Sequence, residues 1–291
     1  MRQLDKPQLT FAILSALGAA ITAALLLVDD RTLLGAPLWM KPFKFFISAA
    51  LMAITLSFIV PRITKMVRLV RIASLVIIGS LVVELVLITW AAANGTTSHF
   101  NVGSPLAIAV WSAMATFIAM VWVATMLLSL AFLRHGEAVG TMKRALSWGM
   151  GVSLVGMGVA FLMTGPNAEQ LTNFEGIAGA HTVGAVDGGP GLPLFGWSTE
   201  AGDLRVAHFV GLHSLQAIPL AVWVLREKIT KVGIDAIALG YLLLVILLTA
   251  QALVGESIAQ TSVGFGLGIA LAILLPFVGA LVQGRVAKTS A

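Results

Sequence analysis

Residues 72–93 read IASLVIIGSLVVELVLITWAAA, twenty-two positions of which a single one, Glu84, carries a charge. As a helix rising 1.5 Å per residue, such a run crosses a hydrocarbon core about 30 Å thick. Runs of the same kind lie on either side of it, at about 9–28, 42–60, 105–133, 146–165, 206–225, 234–254 and 262–282. The expected fold is therefore all-α, a polytopic transmembrane bundle of eight spans forming a single integral membrane domain over residues 1–291. Composition agrees: 58% of residues are hydrophobic, 11% are charged and the mean hydropathy is +0.98. A soluble domain carries about a quarter charged residues, so most of this surface cannot face water. The first run follows Arg2 and Lys6 as a signal peptide would, but it exceeds a usual signal core and is read as a retained helix.

Charge sets the expected orientation. Fourteen of the eighteen Lys and Arg residues fall in the N-terminal segment, the links near 61–71, 134–145 and 226–233, and the C-terminal segment. The other four, Arg31, Lys41, Lys44 and Arg205, fall on the opposite side. By the positive-inside rule both termini are expected in the cytoplasm. The net charge of +5 is thus a topology signal, and no nucleic-acid partner is expected. The chain has no cysteine, which excludes disulfides, thiolate metal ligands and thiol nucleophiles. Small residues recur every fourth position at Ser15/Ala19/Ala23 and Gly264/Gly268/Ala272, a pattern that lets helices approach closely in lipid, within one chain or between copies. Residues 81–95 also echo 241–255, aligning Thr89 with Thr249, Ala92 with Ala252 and Gly95 with Gly255.

The polar residues gather on the extracytoplasmic side. The long stretch from Gly165 to Arg205 holds His181, Asp187, Trp197, Glu200 and Asp203 with the turn-forming run Asp187-Gly-Gly-Pro-Gly, and is expected to be an ordered cap over residues 166–205. Of five histidines only His135 lies on the cytoplasmic side, whereas His99, His181, His208 and His213 share the outer face. Imidazole is the commonest metal ligand and transfers protons near neutral pH. His208 and His213 are five residues apart, about 140° around a helix, so they do not chelate one ion together, and a metal site would need His99 or His181 to join one of them. Glu84 lies near the middle of its span, where an ionised carboxylate costs at least about 2.5 kcal/mol and marks a functional site by default. Matched depths make His213 its expected partner, with Gln216 and Lys44 in reach. Gln251, Glu256, Ser257 and Gln260 end the seventh span on the same side.

The strings Thr97-Ser-His-Phe-Asn101, His181-Thr-Val-Gly184, Asp187-Gly-Gly-Pro-Gly-Leu-Pro193 and Gly202-Asp-Leu-Arg-Val-Ala-His-Phe209, followed by Gly-Leu-His213, resemble those of bacterial membrane proteins described only as uncharacterised. The resemblance implies a bacterial inner membrane and no particular activity. No zincin, P-loop, GxSxG or Rossmann pattern is present.

Three functions are consistent with these residues. In the first, His99, His181, His208 and His213 hold zinc, copper or haem, with Glu84 or Asp187 as catalytic carboxylate and Arg205 or Lys41 pairing with haem propionates, in a redox or hydrolytic enzyme. In the second, Glu84 titrates in a small-solute or proton-coupled transporter. In the third the protein is a non-catalytic membrane sensor or assembly factor. The partners expected are the lipid bilayer and a small-molecule or lipid substrate.

Overall fold

The computed structural model describes residues 3–138, 140–225 and 229–275. In chain order the helices are α1 (Lys6–Val28), α2 (Met40–Ile59), α3 (Val67–Ala93), α4 (Pro105–His135), α5 (Met142–Val159), α6 (Ala168–Thr172), α7 (Leu204–Leu212), α8 (Ser214–Leu225), α9 (Lys231–Leu253) and α10 (Val263–Leu275). Two strand pairs, β1 (Thr32–Leu33) with β2 (Ala36–Pro37) and β3 (Thr182–Val183) with β4 (Gly202–Asp203), are two residues per strand. Among the described residues six helical segments are long and apolar enough to cross a membrane, and α7 with α8, bent by 48°, makes a seventh if the pair forms one span. The protein is a multi-pass, all-α membrane protein. The expected eighth span, 262–282, begins as α10 and continues outside the described residues.

Contacts divide the chain into two compact units. The first comprises residues 1–136, 161–181 and 186–196; the second comprises 137–160, 182–185 and 197–291.

In the first unit α1 packs along α2, α3 along α4, and α2 against α3. Asp5 caps α1 by accepting from the Gln8 N–H, and Ser104 caps α4 just before Pro105, which loses nothing at a position whose N–H has no helical partner. Phe11, Ala12, Ala49, Ala53 and Leu85 form a buried cluster with Phe45, Phe46, Ile78 and Leu81 around it. The small-residue stripe of α1 is used here: Ser15 and Ala19 are buried, and an added side chain at Gly18 would strike the Phe46 ring. Around α6, which carries an Asn167/Gln170 capping box, Val102 N–H donates to Gly176 O at 2.7 Å and Ala178 N–H to Phe100 O at 2.8 Å.

In the second unit α5 packs on α7, α8 and α9, and α7 on α9. Its core holds Ala145, Val152, Ile218, Val222, Ile234, Ala238 and Val245. Gly156 of α5 and Gly211 of α7 meet backbone to backbone, so that a Cβ on either would fall on the other helix. The break between α7 and α8 falls at His213, six residues before Pro219, whose ring disfavours the helical carbonyl of Leu215 four residues back, in the first turn of α8.

The ends of α3 and α9 close in the same way. Thr96 N–H donates to Ala91 O and Gly95 N–H to Ala92 O; Glu256 N–H donates to Gln251 O and Gly255 N–H to Ala252 O. Both glycines sit at positive φ, +65° and +82°, as this closing turn requires. Thr89 and Thr249 each donate back to the carbonyl four residues earlier, those of Leu85 and Val245. The sequence echo between 81–95 and 241–255 is thus an echo of local structure.

Candidate functional site

Glu84 anchors the site from inside the bundle. It is 3% exposed on α3, and its Oε1 has no hydrogen-bond partner among the described residues. The cation that acts on it electrostatically is Lys41, in the first turn of α2. Lys41 Nζ lies 3.1 Å from His99 Nδ1, and Ser98 Oγ lies 2.9 Å from the same nitrogen. An ammonium can only donate, so Nδ1 accepts and the imidazole hydrogen sits on Nε2. The His99 ring stands among Phe45, Phe100 and Trp111, with centroids 6.0, 6.0 and 5.5 Å away. Phe100 is held at φ +66°, a conformation that a bulky residue adopts only when its surroundings enforce it. Here they do: its carbonyl accepts from Ala178, and its ring is flanked by Trp111 at 5.2 Å and His181 at 4.8 Å.

His181 continues the cluster outward. Its Nδ1 donates to Asp187 Oδ2 at 2.6 Å, and its backbone N–H reaches both Asp187 oxygens at 3.1 Å. A carboxylate that accepts from Nδ1 fixes the ring's orientation and stabilises the protonated imidazole when it forms. The glycines after Asp187 make this turn possible: Gly188 sits at φ +99° against Leu34. Lys44 Nζ donates to Phe195 O at 2.7 Å, holding the far end of the same loop. The 186–196 segment is therefore ordered by named bonds within this unit. Lys41, His99, Phe100, His181 and Asp187 form one continuous chain of contacts.

In the second unit, His208 Nδ1 donates to Gly156 O at 2.8 Å. His213 lies at the α7–α8 break, its Nδ1 3.3 Å from Gln216 Oε1 and its ring 4.4 Å from that of Phe209. Arg205 forks onto Asp203, with Nε 2.9 Å from Oδ1 and an Nη 2.6 Å from Oδ2, while Asp203 also accepts from the Ser198 N–H. This arrangement pins the start of α7. Gln251 Nε2 donates to Glu256 Oε1 at 3.0 Å and to Thr261 at 2.9 Å, and the Ser262 N–H holds the Glu256 carboxyl below its ordinary range. These residues shape the turn after α9.

Of the residues singled out in the sequence, the first unit brings together Lys41, His99, His181 and Asp187, and the second holds Arg205, His208 and His213. Glu84 and His213, expected to pair, belong to different units. Among the described residues no three His, Asp or Glu side chains stand close enough to share a metal ion. Phe100, whose ring meets both His99 and His181, and Trp111, which stands against His99 and Phe100, were not singled out, and aromatic character is the only local signal of Trp111. Ser80, one turn before Glu84 on the same helix face and buried like it, was missed, and its i, i+4 spacing from Glu84 was the signal. Asp29 was also missed; Arg31 and the Trp39 indole N–H, at 2.7 Å, converge on it beside β1.

No family model matches the chain, and no curated protein or solved structure matches it.

Proposed function

We propose that the protein is a proton-coupled transporter of a small solute, in which Glu84 carries the proton and the Lys41–His99–His181–Asp187 cluster forms the outer half of its path. The observation that carries this reading is the Glu84 carboxyl, 97% buried inside a span with one oxygen unpartnered among the described residues. A carboxyl kept only for packing would be expected to satisfy both oxygens, because a buried polar atom without a partner costs about 1–3 kcal/mol. Lys41 feels Glu84 through its field and touches His99 directly, so a proton gained or lost at Glu84 alters the charge balance that holds Lys41 against His99. That link gives the outer cluster a means of sensing the carboxyl.

The test is proton movement in proteoliposomes carrying an internal pH dye and challenged with a panel of small solutes. The expected result is solute-dependent acidification with the parent chain and none with Glu84→Gln, a variant that keeps the shape of the side chain. Infrared difference spectra should show a pH-dependent carboxyl band that Glu84→Gln removes. A carboxyl band that never responds to pH would overturn the reading. Stoichiometric zinc, copper or haem in the purified protein, lost on His208→Ala or His181→Ala, would move the function to the metal-dependent enzyme instead.

A further inference from the structure

Hydroxyl groups inside these spans mostly return their hydrogen to their own helix. Thr22, Thr55, Thr89, Ser129 and Thr249 each donate to the carbonyl four residues back, at 2.6–2.8 Å. Ser15, Ser80 and Thr125 do not: each hydroxyl is buried without a hydrogen-bond partner among the described residues, and so are Gln8 Oε1 and Glu84 Oε1. All five lie in the first unit; the second has Ser153 alone among its described residues. Five unsatisfied atoms within one unit would be a large penalty, and polar interiors of this kind normally hold ordered water.

The helices give these atoms an order. Gln8 Nε2 donates to Ser74 Oγ at 2.9 Å, which ties the first turn of α1 to the third turn of α3, spans running in the same direction, at one level. Ser15 lies seven residues beyond Gln8, and Ser80 six beyond Ser74, so they stand about 10 and 9 Å above that level. Glu84 stands about 15 Å above it. Successive polar levels are thus about 9 and 6 Å apart, gaps spanned by about two waters and about one at roughly 2.8 Å spacing.

We propose that the first unit holds a string of waters along α1 and α3, from Gln8 through Ser15 and Ser80 to Glu84, which is the cytoplasmic half of the proton path. This rests on the reading of Glu84 as the proton carrier. A proton passed into the string at Glu84 is matched by one released at the Gln8 end, each water forming one O–H bond and breaking the other, so the proton count is unchanged and the waters then rotate back.

The absence of cysteine makes a direct test available. Ser15→Cys and Ser80→Cys are nearly isosteric, and a small cationic methanethiosulfonate modifies only a thiolate, which forms where water reaches. In the reconstituted full chain both should react at least roughly tenfold faster than Ala53→Cys, placed in the apolar cluster of the same unit, because apolar burial suppresses the thiolate. Equal protection at all three positions overturns the water string. Radiolytic hydroxyl labelling of the unaltered chain avoids any folding defect: Ile77, between Ser74 and Ser80, and Ile88, one turn beyond Glu84, are buried outside that apolar cluster and should be modified, and absence of label at both overturns it too. Labelling together with a pH-insensitive Glu84 band would keep the water and remove the carrier, so the two proposals fail separately.

Discussion

Replacing Gly156 by alanine puts a methyl where the backbone of Gly211 and Leu212 stands. The obstacle is main chain, not the flexible end of a side chain, so α5 and α7 must separate. Overpacking of this kind costs about 1–3 kcal/mol. Separation also stretches the 2.8 Å bond from His208 Nδ1 to the Gly156 carbonyl, about 1 kcal/mol more for a neutral hydrogen bond. Against this, alanine is better than glycine inside a helix by up to about 1 kcal/mol. The expected net effect is a loss of about 1–3 kcal/mol, a fall in melting temperature of roughly 2–10 °C for a chain of this size. Gly151 supplies the control, since it lies on the same helix with nothing within 4 Å of an added Cβ. Gly151→Ala should gain from helix propensity and be neutral to mildly stabilising. Tryptophan fluorescence during thermal unfolding, in one detergent, reads both variants. A Gly156→Ala protein as stable as Gly151→Ala would refute the account of the helix crossing.

Two further outcomes follow from charge. The Asp29 carboxyl is held well below the usual carboxylate range, first by Arg31 and then by the Trp39 indole. Its stabilising contribution is therefore complete above the ordinary carboxylate value and is lost as pH falls through the folded one. The melting-temperature gap between the parent and Asp29→Asn should hold steady from about pH 7 to 5 and close as pH drops below about 4; a gap that widens in acid would contradict it. Reporter fusions at Lys65 and Gly189 should report cytoplasm and the opposite compartment respectively, and a reversed pair would overturn the orientation taken from the basic residues.

The spans were legible because lipid demands long apolar runs and tolerates few exceptions. The broken span was legible only in part. Residues 206–225 read as one helix, and the break between α7 and α8 at His213 went unread, with Pro219 six residues further on as its nearest sequence signal. The closing turns after α3 and α9 were visible in the aligned Thr89/Thr249 and Gly95/Gly255, since a turn at positive φ demands glycine locally. The site was harder to read. Residue types and sidedness picked out Lys41, His99, His181 and Asp187, but Lys41 meets His99 across 58 residues of chain, and nothing local encodes that meeting. His181 and Asp187 are six apart, yet their bond depends on a path set by glycines and by Phe100. The expectation that outer histidines cluster on a metal rested on counting ligands, whereas three of the four have Nδ1 within 3.1 Å of a lysine, a carboxylate or a backbone carbonyl.

The division of the chain into two units carries a consequence for its synthesis. Residues 161–181 and 186–196 belong with α1–α4, yet the ribosome makes them only after α5, a helix of the other unit. When His135 emerges, Phe100 and Val102 still lack the Ala178 and Gly176 groups that complete their backbone bonds, and Lys44 still lacks the Phe195 carbonyl. The four-helix part can therefore enter the bilayer early, but its outer rim must wait for a further crossing before it can be finished. Chains stalled between Gly136 and Gly196 would carry inserted helices and an open Lys41–His99 end, and should be the forms most exposed to membrane proteases.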